Sequence, residues 1–245
     1  MTLKNIWVLG VLGIFVITLA AVYWLFPSKP DPFPVKKQLI RGINGVYPEA
    51  EASVIQNTLL MDEHHVLVPF ISKKNDYGLS YWVWKNHKWR MVSVDTKGEP
   101  RVWEINRKDP STFRFVWNID PNDHQSYMKF YFIRDRNFLV TDGEQTYYPR
   151  IQMEKKVFFT EKSYGAIKPP KHWTQVMNEL RKIQSQKQNG ISLFNDSNYE
   201  QYFGWASFNM QAKEMFPQGS MSGDGYSNGD EDISFIRFID HTELE

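Results

Sequence analysis

Residues 112–119, TFRFVWNI, carry the reading that decides the fold. Phe113, Phe115, Trp117 and Ile119 fall at every second position, with Arg114, Val116 and Asn118 between them. Successive side chains of a strand point to opposite faces, so this alternation predicts a β-strand with one apolar face. Met128, Phe130 and Phe132, with Lys129 opposite, repeat the pattern over 126–134.

Outward from there, residues 52–160 read as a succession of short β runs separated by turn residues. Strands are expected at 53–60 and 66–72, joined across Met61-Asp62-Glu63, and at 79–85 and 89–95, joined by Asn86-His87. Lys97-Gly98 marks the next turn, followed by 101–106, 112–119, 126–134, 138–141 before Asp142-Gly143, and 152–160. Sequential strands with tight turns imply an antiparallel meander, curled into a barrel or folded as a sandwich. No internal repeat of the kind that builds a propeller is present.

Beyond Pro169-Pro170 the period changes. Trp173, Val176, Met177, Leu180 and Ile183 share one helical face while Lys171 and Arg181 lie off it, which predicts an amphipathic helix over 172–187, with Gly190 as a stop signal. A second helix is expected from Ser197, capped with Glu200 and presenting Tyr199, Tyr202, Phe203 and Ala206. Gly204 and the aromatic density make a strand the alternative there. Residues 218–232, QGSMSGDGYSNGDED, read as a loop, flexible and solvated, and 233–239 as a last strand. The expected fold class is mainly β (α+β), a β-rich domain with one or two C-terminal helices packed on it.

The N-terminal region sets that domain in place. Residues 6–26, IWVLGVLGIFVITLAAVYWLF, contain no charge, and a helix of that length covers about 31 Å, against a hydrocarbon core of about 30 Å. We expect a single-pass transmembrane signal anchor after a five-residue tail, 1–5, and lipid as its partner. Cleavage near Ala20 and Ala21 would leave Val22 to Phe26 as an apolar N-terminus, so the segment reads as uncleaved. Lys29, Lys36, Lys37 and Arg41 after the span favour a cytoplasmic domain, whereas the short tail bearing Lys4 is how an exported chain begins, and long domains translocate largely regardless of charge. The expectation is a domain outside the cytoplasm, residues 38–245, joined to the span by a stalk at 27–37. Pro27, Pro30, Pro32 and Pro34 stiffen that stalk towards polyproline II geometry. Lys36, Lys37 and Arg41 would then stand near anionic headgroups.

Composition removes several chemistries. Nine Trp, 12 Tyr and 17 Phe exclude a disordered chain and supply a core. A formal net charge of +1, with acids and bases interleaved, gives no stripe for nucleic acid. The absence of cysteine excludes disulfides, thiolate catalysis and Cys-ligated metals.

Motifs that could carry chemistry are few. Asp224, Asn228, Gly229, Asp230 and Asp232 match part of a calcium-loop template, but Tyr226 and Phe235 occupy ligand positions, so a solvated loop is expected. His64 and His65 follow Asp62-Glu63, yet adjacent extended side chains diverge and share no metal easily. His87, His124, His172 and His241 show no zinc spacing. Ser126 and Lys129 match S-x-x-K only in letters if they lie in a strand, and Gly219 to Gly223 places Met221 where a nucleophile would stand. In the cluster Tyr81, Trp82, Trp84 and Trp89, Trp82 and Trp84 share a face and could stack on a sugar or peptide if exposed, but packing across strands is the ordinary reading. Asn195-Asp196-Ser197 is a formal glycosylation sequon. No catalytic, cofactor or metal residue is assigned. The expected function is a membrane-anchored, non-enzymatic module binding a protein, peptide or envelope component. An envelope-processing enzyme using scattered carboxylates and a cytoplasmic-facing adaptor are the alternatives.

Overall fold

The computed structural model describes residues 7, 12–15, 18, 29–141, 143–159, 162–188 and 201–244. Most of the expected span, 6–26, the sequon at 195–197 and the expected cap at Ser197 and Glu200 therefore lie outside the described residues. Among the described residues no helix is long and apolar enough to cross a membrane.

In chain order the elements begin with α1 (Lys36–Val46), β1 (Ala52–Ile55), β2 (Leu59–Leu60), β3 (His65–Ser72), β4 (Tyr77–Trp84), β5 (Trp89–Asp95), β6 (Gly98–Trp103) and β7 (Arg114–Asn118). They continue with β8 (Tyr127–Arg134), β9 (Asn137–Thr141), β10 (Glu144–Tyr148), β11 (Ile151–Phe158), β12 (Tyr164–Ile167) and α2 (Lys171–Gln188). β13 (Gln201–Phe208), β14 (Gly225–Ser227), β15 (Ile233–Phe235) and β16 (Arg237–Phe238) complete the chain.

The protein is mainly β, but its strands divide into four sheets. The first has the order β1-β3-β4-β5-β14, with β2 also on β3; the second is β12-β7-β6-β15; the third is β11-β8-β13-β16; and β9 and β10 form a separate hairpin. Among the described residues, pairing is antiparallel except between β13 and β16. The meander expected from the sequence is thus real locally, in β3-β4-β5, and is then redistributed over further sheets.

Core composition shows how the layers meet. On β3, Val66, Val68 and Phe70 join a cluster with Leu39 and Ile43 of α1, while Leu67 joins one with Trp103 and Val116 of the second sheet. The first sheet is therefore buried on both faces, which explains why β3 and β4 read as nearly continuous apolar runs. The second sheet's other face, Val102, Phe115 and Trp117, packs with Met128, Phe130 and Trp205 of the third and with Trp173 and Met177 of α2. The order of layers is α1, first sheet, second sheet, third sheet with α2.

The alternation that predicted β7 is observed, with Phe113, Phe115, Trp117 and Ile119 all in one cluster. Its other side, however, is buried as well. Asn118 is fully buried, and its Nδ2 donates to the carbonyls of Gly78 (2.8 Å) and Phe70 (3.2 Å) and to Gln56 Oε1 (2.7 Å). Arg114 Nη2 donates to the carbonyl of Met61 at 2.7 Å. These two polar side chains bind the second sheet to backbone of the first.

Four expectations are corrected. The single strand at 53–60 is two short ones, β1 and β2. The residues of the second expected helix that are described, Tyr202, Phe203 and Ala206, lie in β13, where Gly204 admits Ile239: a Cβ at Gly204 would stand 1.7 Å from Ile239 Cδ1. The stretch 218–232 is not a free loop, since Gly225–Ser227 pairs with β5. The last strand bends at Ile236, whose side chain turns into the core, so that β15 pairs with β6 and β16 with β13. In consequence residues 225–238 add an edge strand to each of the three sheets in turn. The helix over 172–187 is observed as α2, whereas α1 had no counterpart in the sequence reading.

Candidate functional site

The described residues of the stalk, 29–37, are part of the folded structure. Phe33 stands edge-on to Trp89 with ring centroids 4.9 Å apart, and edge-on to Trp82 at 6.0 Å. The Trp89 indole N–H donates to the carbonyl of Asp31 at 2.9 Å. An aromatic side chain set against two indoles, with an indole N–H donating to the backbone two residues before it, holds this segment on the domain.

Three elements build this aromatic ledge. Trp82 on β4 turns towards α1, where Gly42 lets the indole approach; a Cβ there would lie 2.7 Å from its Cη2. Its own N–H is satisfied by Ser80 Oγ at 3.0 Å. Trp89 opens β5 directly opposite Trp84, the two rings being 5.6 Å apart. The connecting turn has Asn86 and His87 at φ 54° and 58°, the two left-handed residues a tight hairpin requires. That turn sends Lys85, Lys88 and Arg90 to the rim.

Beside the stalk lies a groove of about 580 Å³. Trp82, Trp89, Met91 and Val46 give it an apolar floor, and Tyr226, carried in by β14, closes one side. Lys85, Lys88 and Arg90 line it together with Asp230, whose carboxylate is 3.1 Å from Lys85 Nζ. Both partners are exposed, so this pair contributes little stability. The groove combines flat aromatic surface with an excess of cations.

The residues singled out in the sequence are distributed differently. Tyr81, from the same aromatic run, faces the opposite way, into the layer between the first and second sheets. Asp232 pairs with Arg107 and Asp230 with Lys85, so those two calcium-template carboxylates meet cations of the chain. Among the described residues, no group of three His, Asp or Glu is placed to hold a metal ion. Gly219 and Ser220 of the GSMSG stretch dock on Asp123, the Ser220 hydroxyl donating to its Oδ2 at 2.6 Å. Lys129 lies in β8 and reaches Glu154 at 2.8 Å. Asp62 Oδ1 accepts from the His64 amide at 2.8 Å and lies 2.7 Å from His65 Nδ1. His65 also faces Trp103 edge-on and stands 3.8 Å from Glu231, to which the Trp103 indole donates. This chain of contacts fastens the 224–232 segment.

Sequence reading missed two features. Asp95 and Arg101 form a buried pair at 2.8 Å, with Tyr81 donating to Asp95 at 3.1 Å, Glu99 at 3.6 Å from the guanidinium, and Phe235 stacked over it at 3.1 Å. Burial pushes the Asp95 and Glu99 carboxyls above their usual range, against the pull of Arg101. No spacing in the sequence links residues from β4, β5, β6 and β15. A second, polar cleft of about 190 Å³ is lined by Glu49, Glu51, Asp76 and Asp224. There Lys74 pairs with Glu51 at 3.0 Å and Lys97 with Asp76.

Comparison of the chain with protein-family models, with curated proteins and with solved structures gave no match.

Proposed function

We propose that the chain is a membrane-tethered, non-enzymatic binding module whose working face is the groove beside the stalk. The domain stands outside the cytoplasm, held by an anchor at 6–26. The observation that carries this reading is the docking of Asp31 and Phe33 on Trp89 and Trp82. Asp31 and Phe33, a few residues after the apolar run, are folded against the tryptophans of the groove, which supports a working face close to the anchor. The mixed aromatic and cationic lining suits a ligand with apolar and anionic parts.

Carboxylate catalysis has less support. The cleft that gathers four carboxylates ties two of them to lysines, and Asp95 and Glu99 are spent on Arg101 beneath Phe235.

The full chain carrying a reporter after Glu245 tests the topology. It is expected in the alkali-resistant membrane fraction with reporter activity outside; release into the soluble fraction overturns the anchor. Hydrolysis of a panel of peptide, glycan and ester substrates by the purified chain would overturn the non-enzymatic assignment.

A further inference from the structure

We infer that the groove and the β4–β5 turn form a docking surface for anionic phospholipid headgroups, so that the domain lies down on the bilayer that anchors it. The inference rests on the anchor reading above and adds the partner of the groove. Covalent reach is its first support. Trp89 holds the carbonyl of Asp31, five residues beyond Phe26, the last residue of the apolar run. Five residues extend at most about 18 Å whatever path they take. The groove therefore cannot be far from the headgroup layer.

Charge and side-chain type are the second. The β4–β5 turn reads Trp84-Lys85-Asn86-His87-Lys88-Trp89-Arg90, with Lys85, Lys88 and Arg90 exposed at its tip and rim. Trp89, only partly buried and with cations beside it, matches the chemistry of the interfacial zone of a bilayer, while Trp82 and Trp84 are buried behind it. On the other side of the docked Phe33, Lys36, Lys37 and Arg41 are exposed on α1. The carboxylates placed among these cations are Asp31 and Asp230, the latter already paired with Lys85. Val46, exposed on the last turn of α1, and Tyr226 add apolar surface to the cationic groove.

The chain has no cysteine, which makes a single-label experiment direct. Val46→Cys labels the groove, and Gln145→Cys, in the separate β9–β10 hairpin, labels a remote site. Each full-length variant carries a bimane fluorophore and is reconstituted into vesicles of phosphatidylcholine alone, or with phosphatidylglycerol in about a 7:3 ratio, containing a headgroup-attached nitroxide quencher. The Val46 label should be quenched in the anionic vesicles several-fold more than the Gln145 label. The difference should shrink in phosphatidylcholine alone and at high salt. Each of Lys85→Gln, Lys88→Gln and Arg90→Gln should lower the docked-to-undocked ratio about fivefold, since one cation near an anionic surface is worth roughly that factor. Circular dichroism of each variant confirms that the fold is kept. Equal quenching at both sites, or quenching indifferent to lipid charge and to the three substitutions, overturns the inference. Crosslinking of a benzophenone at Val46→Cys to a protein instead of lipid in native membranes also overturns it and makes a protein the partner. Failure of the anchor is told apart, because the chain then does not float with phosphatidylcholine vesicles at high salt, and the inference, which rests on the anchor, falls with it.

Discussion

At the scale of single residues, the interior of this protein is held by polar groups that a hydropathy pattern treats as outward-facing. Arg114 and Asn118 alternate with the aromatics of β7, and alternation alone would put them in water. They are buried because another sheet covers that face, and their donors find backbone carbonyls there. Asp95 and Arg101 are the most demanding case. Removing one member of a buried ion pair strands the other charge, so Asp95→Ala should cost about 3–5 kcal/mol, whereas Asp95→Leu combined with Arg101→Met should recover most of that loss. Urea unfolding of Asp95→Leu, Arg101→Met, the double variant and Asp95→Ala checks both the cost and the non-additivity. At Asp62, burial pushes the carboxyl up, but the hydrogen bonds from His65 and the His64 amide outweigh it and hold the group below its ordinary value. A depressed folded value means the stabilisation is present above the unfolded carboxylate value, about 3.9, and is lost as pH falls through the folded one. Asp62→Asn should therefore be less stable than the parent at neutral pH, with the gap closing on acidification; urea midpoints across a pH series measure it.

At the scale of elements, the sequence showed most of the long strands and the long helix, because each has its own period. Residues 66–72, 89–95, 112–119, 126–134 and 172–187 are recovered as β3, β5, β7, β8 and α2 within a residue or two at each end. What it did not show depends on partners distant in the chain. β14, β15 and β16 have two or three residues each, too few for a period, and exist because an edge of each sheet is open to receive them. The candidate groove was half legible: Trp82, Trp84 and Trp89 stood out as a cluster, but nothing local tied them to Phe33, or brought Tyr226 across from a segment that reads as loop. The edge strands make a test. Gly225 lies so close to β5 that a Cβ would meet the Val94 carbonyl oxygen at 2.6 Å. Gly225→Val should lift β14 away, and the amides of Thr96 and Asn228, which donate to Asp224 and Val92 carbonyls, should lose hydrogen-exchange protection while the amides of β8 keep theirs.

At the scale of the whole molecule, the layers and stalk residues 29–35 belong to one folded unit. α1 covers the outer face of the first sheet, and the stalk continues that cover by placing Phe33 on the indoles at its margin. A stalk that served only as a spacer would be free of the domain, and its removal would leave stability unchanged. The observed contacts lead to a different expectation. Phe33 is half-buried, and each edge-to-face aromatic contact adds about 0.5–1.5 kcal/mol to the apolar area it covers. The hydrogen bond from Trp89 to Asp31 adds about 1 kcal/mol. The ordering of four or five stalk residues opposes these gains, although proline at 30, 32 and 34 has already removed much of the backbone freedom to be lost. A fragment comprising residues 29–245 should thus be about 1–2 kcal/mol more stable than one comprising 35–245, which keeps the Val35 cap of α1, with both unfolding in a single transition. Phe33→Ala in the longer fragment should bring it most of the way down to the stability of the shorter. If the two fragments melt at the same denaturant concentration, the stalk is not seated on the groove in solution, and the reach that places the groove near the bilayer is lost with it.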